Sequence, residues 1–184
     1  MPKTPPKSPP NRPKLPEAEA LLAILVAAMR PHAGPAMALV GIRTGGVWLA
    51  ERLHAALGLS VPLGSIDVSF HRDDYGRKGL HPGAKGSSIP FDVAAAEIVI
   101  VDDVLNTGRT IRAAMNELYD YGRPARIDLA VLVDRGGREL PICARYCAHT
   151  LAEPLPASQE LVLARAGDDP LSLLSLQLKD RPDE

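Results

Sequence analysis

Aromatic residues are scarce in this chain of 184 residues, at 4%. A platform that stacks single-stranded nucleic acid needs rings for its bases, so that class of binder is disfavoured. Cysteine is nearly absent: Cys143 and Cys147 are the only two, too few for the disulfide framework of a small secreted scaffold. With His149 they form a Cys-x3-Cys-x-His cluster, yet structural zinc needs four ligands at tighter spacing. Small packed thiols of a reducing compartment are the expected reading. No long apolar run exists either. The longest, Ala20 to Met29, has about half of the roughly 20 residues that span a bilayer, so no membrane association is expected. A strong excess of one charge is also missing, with 21 basic against 22 acidic residues. That balance hides an asymmetry. Lys3, Lys7, Arg12 and Lys14 all precede Glu17, which leaves 17 basic against 22 acidic residues on the remainder. An acidic body does not attract polyanions by default, although a local basic patch can persist.

Proline, by contrast, is crowded into residues 1–16, at positions 2, 5, 6, 9, 10, 13 and 16. Such a segment buries too little apolar surface to offset its ordering entropy. A disordered or polyproline-like arm is expected, most simply an inert tail. Basic residues ahead of Leu21–Met29 imitate a secretion signal, but the prolines and the acids Glu17 and Glu19 argue against one. A cytoplasmic protein is therefore expected. Residues 17–184, with 46% hydrophobic content across the chain, suit one domain with a full core.

Within that domain Glu17 to Met29 reads as a helix stopped near Pro31, and Ala36 to Ile42 as a strand. Arg43-Thr44-Gly45-Gly46 reads as a turn whose glycines permit close backbone approach to a ligand. Val47 to Leu57 follows as a helix stopped by Gly58, with Val47, Ala50, Leu53 and Leu57 on one face. Ser65 to His71 alternates as a half-exposed strand, and Arg72 to Pro90 is a long polar loop of the kind usually functional or mobile. Ile98–Val101 is a strand, its following helix runs to Tyr121, and Ile127–Val133 is another strand. Short strands are expected around Leu161–Ala164 and Leu171–Leu178. Alternating strands and helices predict an α/β fold with a mostly parallel sheet.

Residues 98–110 read Ile-Val-Ile-Val-Asp-Asp-Val-Leu-Asn-Thr-Gly-Arg-Thr. Four β-branched residues fit a strand buried on both faces. Asp102 and Asp103 follow where that strand should surface, and open α/β sheets bind ligands at the carboxyl ends of their strands. Thr107-Gly108-Arg109-Thr110 offers amides, two hydroxyls and a guanidinium at a helix N-terminus, a seat for phosphate. Adjacent acids beside such a seat would repel a phosphate, so they should grip something uncharged. A ribose cis-diol fits, and the site reads as a binder of a sugar 5-phosphate. An acid pair alone is most often loop chemistry or a helix cap. The complete string is far rarer.

That string resembles the phosphoribosyl pyrophosphate signature of type I phosphoribosyltransferases. The resemblance implies a mostly parallel central sheet flanked by helices, with a small hood and a flexible loop. It implies that Asp102 and Asp103 hold the ribose hydroxyls and that Val104, Leu105, Asn106, Thr107, Gly108, Arg109 and Thr110 form the phosphate-binding stretch. Arg43, Thr44 and Gly45 become the pyrophosphate loop, and Arg72 belongs to a flap that closes over the reacting centre. Asp134 and Arg135 border the base, and magnesium bridges substrate oxygens without a dedicated protein cage. Longer matches narrow the subfamily. Arg72-Asp73-Asp74, Ile89-Pro90-Phe91-Asp92, Ala113-Ala114-Met115, Gly122-Arg123-Pro124 and Leu129 to Gly136 look like the bifunctional pyrimidine operon attenuation regulators and uracil phosphoribosyltransferases. Implied partners are phosphoribosyl pyrophosphate, uracil or UMP, a second copy of the chain in a dimer or higher assembly, and pyrimidine operon messenger RNA.

Several positions depart from that pattern. Purine enzymes generally carry Asp three residues after the second acid, whereas this chain has Asn106, which cannot take a proton from a purine nitrogen in that way. Uracil, able to react through an ionised ring nitrogen, asks less of a protein base. The uracil regulators usually place Tyr at this position. They also tend to carry His where Gly137 stands, Arg where Cys143 stands, and a basic, His-containing first helix that Ala18–Ala28 lacks. RNA binding rests on cationic contacts to phosphates, so catalysis is the primary expectation and RNA attenuation the alternative. A second basic residue is usual where Gly45 stands, and its loss is expected to weaken the grip on pyrophosphate.

Overall fold

The computed structural model describes residues 15–68, 86–153, 155–156, 158–170 and 172–180. The proline arm up to residue 14, the expected flap residue Arg72 and most of the 72–90 loop lie outside the described residues. Five strands form one sheet: β1 (Met37–Ile42), β2 (Gly64–Ile66), β3 (Glu97–Leu105), β4 (Arg126–Asp134) and β5 (Tyr146–Thr150). Their order is β2-β1-β3-β4-β5, and every pairing is parallel. Helices α1 (Ala18–Met29), α2 (Gly45–Leu57) and α3 (Arg109–Tyr121) cover the sheet. A separate antiparallel hairpin, β6 (Gln159–Arg165) and β7 (Leu174–Asp180), forms a small hood.

The unbroken apolar run in β3 now has its cause. Val99 and Val101 pack with Leu21, Leu25, Met29, Leu49 and Leu53 of α1 and α2, together with Leu161 and Leu163 of the hood. Ile98 and Ile100 pack on the opposite face with Ile111, Ala114 and Leu118 of α3. Side chains alternate along a strand, so a central strand covered on both faces must be apolar at every position. Each fully buried Leu or Ile contributes roughly 1.5–3 kcal/mol relative to exposure, which makes this double-sided burial the main stabilising term. Gly58 ends α2 in a left-handed conformation (φ 65°) while its N–H and that of Leu59 donate to Ala55 and His54 carbonyls, a closure that glycine alone adopts without strain.

Several boundaries moved. β3 does not surface after Val101; it runs through the acid pair to Leu105, because Val104 and Leu105 keep their register with Val133 and Asp134. α2 begins at Gly45, so two of the four expected turn residues are helical, and its buried face is Gly46, Leu49, Ala50 and Leu53. Val47 and Leu57 are only half-buried. Strand β5 was not foreseen, since Tyr146–Thr150 is polar-rich and pairs on one side only. Cys143, expected to be packed, is exposed. No helix among the described residues is long and apolar enough to cross a membrane.

Candidate active site

At the carboxyl edge of the sheet, Asp102 and Asp103 occupy consecutive positions of β3 and leave it on opposite faces. Asp102 is 5% exposed, and one of its carboxylate oxygens accepts the Asp103 backbone N–H at 3.0 Å. Asp103 Oδ2 accepts the Leu163 N–H of the hood at 3.2 Å. A Cβ on Gly45 would stand 2.4 Å from that same oxygen, and one on Gly46 would stand 2.4 Å from the Val101 carbonyl. These two glycines therefore let α2 approach the chain's own strand, where the sequence had suggested approach to a ligand.

The turn after β3 is held by a network. Gly108 adopts φ 92°, and Thr107 Oγ1 accepts the Arg109 N–H at 3.2 Å. The Thr107 carbonyl accepts the N–H groups of Glu139 (3.0 Å) and Leu140 (3.1 Å). The first turn of a helix carries amides that its own carbonyls leave unused and a partial positive charge, and here that turn contains Thr110 and Ile111. Arg109 and Glu139 form an exposed ion pair at 2.7 Å.

A cleft of about 580 Å³ brings most of these groups together. Thr44, Gly45, the whole of Asp102–Thr110 and Arg135 lie on its wall. Two expected residues stand off that wall: Arg43, whose guanidinium donates to Ser65 Oγ at 3.1 Å, and Asp134. The Asp134 carboxylate accepts the Gly136 N–H at 2.9 Å and the Arg138 guanidinium at 2.5 Å. Sequence reasoning missed Trp48, Ile111 and the hood residues Glu160–Leu163, all of which line the cleft, as does Glu139. Trp48 had a signal, being one helical turn beyond Gly45. Its ring lies 5.0 Å beneath the Arg165 guanidinium, and Arg165 pairs with Glu51 at 2.8 Å. The hood residues had none, because only tertiary packing brings them there. A second groove, about 620 Å³, runs along α3 at Arg112, Asn116 and Asp120 and includes neither Asp102 and Asp103 nor the 107–110 turn.

Among the described residues no group of three or more His, Cys, Asp or Glu side chains is placed to hold a metal. The adjacent carboxylates of Asp102 and Asp103 on the cleft wall are hard oxygen donors, a pair that fits magnesium brought in on a substrate's own phosphates.

A parallel sheet with carboxylates and a helix-starting turn at its carboxyl edge, roofed by a small hairpin, is the type I phosphoribosyltransferase fold. Residues 17–150 match the phosphoribosyl transferase domain, and the chain belongs to that family. Among its relatives, a protein of Ralstonia nicotianae named "Bifunctional protein PyrR" is 50% identical over 156 residues, covering 83% of this chain and 88% of the relative. A protein of the same name from Pseudomonas entomophila is 52% identical over 134 residues, 73% of this chain and 76% of the relative. The resemblance to the bifunctional pyrimidine operon regulators thus extends well beyond the motif. Among solved structures, a hypoxanthine-guanine phosphoribosyltransferase of Bacillus anthracis superposes with a TM-score of 0.61 at 16% identity, covering 77% of this chain and 85% of that one. At that identity the likeness speaks to the fold alone.

Proposed function

We propose that this chain converts uracil and phosphoribosyl pyrophosphate into UMP and pyrophosphate. The carrying observation is the single cleft that joins the acid pair to the 107–110 turn and the 44–45 junction. Asp102 and Asp103 accept the ribose hydroxyls, and the amides and hydroxyls of Thr107–Thr110 seat the 5-phosphate. Thr44 and Gly45, with Arg43 adjacent, receive the pyrophosphate. Asn106 and Arg135 face the base, with Asp134 holding the loop behind them. Displacement at the anomeric carbon builds cationic character that bulk water would capture, so the hood strand and a flap containing Arg72 exclude solvent. Magnesium, when bound on the pyrophosphate, neutralises charge on the leaving group. The chain's own contribution is to hold the ribose and its phosphate fixed while the bond breaks. A cytoplasmic homodimer or higher assembly belongs to the same reading, by family resemblance.

Asn106 supports a pyrimidine over a purine, because an amide cannot act as the base for a purine nitrogen. Screening uracil, hypoxanthine, guanine, xanthine and orotate for pyrophosphate release tests this directly. Release with uracil is expected; release with a purine and not with uracil would overturn the base assignment while leaving the transferase intact.

The word "Bifunctional" in the relatives' name favours a second reading, a UMP-sensing regulator that binds pyrimidine operon messenger RNA. Against it, the exposed positions of α1 are Ala20, Ala23, Ile24, Ala27 and Ala28, which offer no cation to a phosphate. Filter binding of leader RNA at moderate salt, with and without UMP, separates the two. Nucleotide-dependent, salt-sensitive retention would establish the regulator.

A further inference from the structure

Three consecutive carbonyls at the end of β3, those of Leu105, Asn106 and Thr107, accept hydrogen bonds from the segment 135–140. The Leu105 carbonyl takes the Arg135 N–H at 3.0 Å, and the Thr107 carbonyl takes the Glu139 and Leu140 N–H groups. The middle one, Asn106, is reached by no backbone donor in that series. Its carbonyl is instead bonded by the Nη1 of Arg138, whose Nη2 donates to Asp134 Oδ2 at 2.5 Å. Arg138 is three-quarters buried there and stands off the cleft wall.

A peptide unit is planar and trans, so its C=O and the following N–H point in opposite directions. Holding the Asn106 carbonyl towards the 135–140 segment therefore turns the Thr107 N–H away from it, as an amide donor of the turn. Leu105 and Thr107 are held by backbone, but the peptide between Asn106 and Thr107 depends on one side chain. Gly137 completes the arrangement. It adopts φ 72°, and a Cβ built on it would lie 2.8 Å from Asn106 Oδ1. Two departures from the family pattern thus meet in space, with the Asn106 amide standing where a side chain at 137 would begin.

We propose that Arg138 is a positioning residue, clamping the Asn106–Thr107 peptide so that the turn presents its amides to the 5-phosphate. This rests on the phosphoribosyl pyrophosphate reading above. Without the clamp the 106–107 peptide is released to rotate, and the phosphate loses a fixed donor. Misplacement of a binding group by about 1 Å can cost up to a hundredfold; for one of several donors, a rise of about tenfold in KM for phosphoribosyl pyrophosphate is expected.

The experiment uses the full-length chain and three variants, Arg138→Gln, Arg138→Lys and Gly137→Ala. Steady-state kinetics are measured with each substrate varied, and binding of phosphoribosyl pyrophosphate is measured by calorimetry. Arg138→Gln should raise KM and Kd for phosphoribosyl pyrophosphate about tenfold while KM for uracil changes much less. Arg138→Lys, able to reach one of the two acceptors, should fall between. Gly137→Ala crowds Asn106 from the other side and should reproduce the split even if Arg138→Gln folds poorly. A lowered melting temperature with unchanged constants in the folded variants would reduce Arg138 to a structural tie and overturn the proposal. If the wild-type chain binds no phosphoribosyl pyrophosphate, the parent reading falls. If it binds and Arg138→Gln and Gly137→Ala bind equally well, only this inference falls.

Discussion

The wall formed by residues 102–111 and the wall formed by hood strand β6 face each other across one cleft, but they are held by different means. The first is a continuous stretch. It inherits the parallel ladder of β3 and β4 as far as Leu105 and is then pinned by bonds from 135–140. The second is docked from a distance by a few polar contacts: Leu163 to Asp103, Arg165 to Glu51, and Leu174 with Arg52 to Glu19. Apolar packing of Leu161, Leu163 and Leu174 into the α1–α2 core completes the attachment. Breaking the first wall means breaking the sheet. The second can open as a separate unit of lower stability. The proposed ribose-phosphate seat is thus tied to the core sheet, and the cover over it to a part expected to open more easily.

The largest expected effect comes from the point where the walls touch. Asp102→Asn with Asp103→Asn removes two charged acceptors from the ribose while leaving shape nearly unchanged. Hydrogen bonds to charged groups contribute about 1.5–3 kcal/mol each, so turnover should fall by about two to four orders of magnitude. Pyrophosphate release measures it, and a melting temperature close to wild type would show that the loss is chemical. Full activity in the double variant would remove the acid pair from the mechanism. The Asp103→Asn single variant sharpens the comparison. Its amide oxygen can still accept the Leu163 N–H, so the hood should stay docked while catalysis weakens.

Gly46→Ala should come next, acting on the first wall alone. Its Cβ would meet backbone atoms, the Val101 carbonyl at 2.4 Å and Asp102 Cα at 3.0 Å. Neither can rotate aside, so α2 must lift from β3. Overpacking of this kind costs about 1–3 kcal/mol, readable as a lower urea midpoint. A variant as stable as wild type would show that the helix–strand junction has slack, and that the first wall is less rigid than its bonds suggest.

The same contrast explains what the sequence made legible. Residues 98–110 could be read directly because strand, acids, turn and helix start are contiguous, so local pattern and tertiary role coincide. The alternation of elements that predicts a parallel sheet is local in the same sense. The end of β3 was misplaced because hydrophobicity stops at Val101, whereas the ladder continues under two carboxylates. The hood's share of the cleft was not legible. Glu160 and Val162 follow ordinary strand alternation, and nothing near them in sequence marks a site 60 residues away. Trp48 was half-legible, since Gly45 was singled out and helical spacing places Trp48 above it. Arg43 and Asp134 were assigned by motif position, and their side chains are occupied by Ser65 and Arg138.

The smallest effect belongs to the second wall and is the most selective. Glu19 of α1 takes both guanidinium nitrogens of Arg52 and the Leu174 N–H of β7. These bonds, Arg52 first, hold its carboxyl below its ordinary value of 4.5, with burial opposing them. A depressed carboxyl favours the folded state only while it is ionised. Its contribution is complete above about pH 4.5 and is lost as pH falls through the lower, folded-state value. Glu19→Gln should therefore destabilise by about 1 kcal/mol at neutral pH, allowing for solvent screening of a partly exposed pair. The gap to wild type should close as pH drops below that range. Hydrogen exchange read at the same time should show faster β6–β7 amides in the variant and unchanged protection in β3. A gap that persists undiminished well below pH 4.5 would take the Glu19 charge out of the hood's docking, and β3 amides that speed up with the hood would mean that the two walls open as one unit.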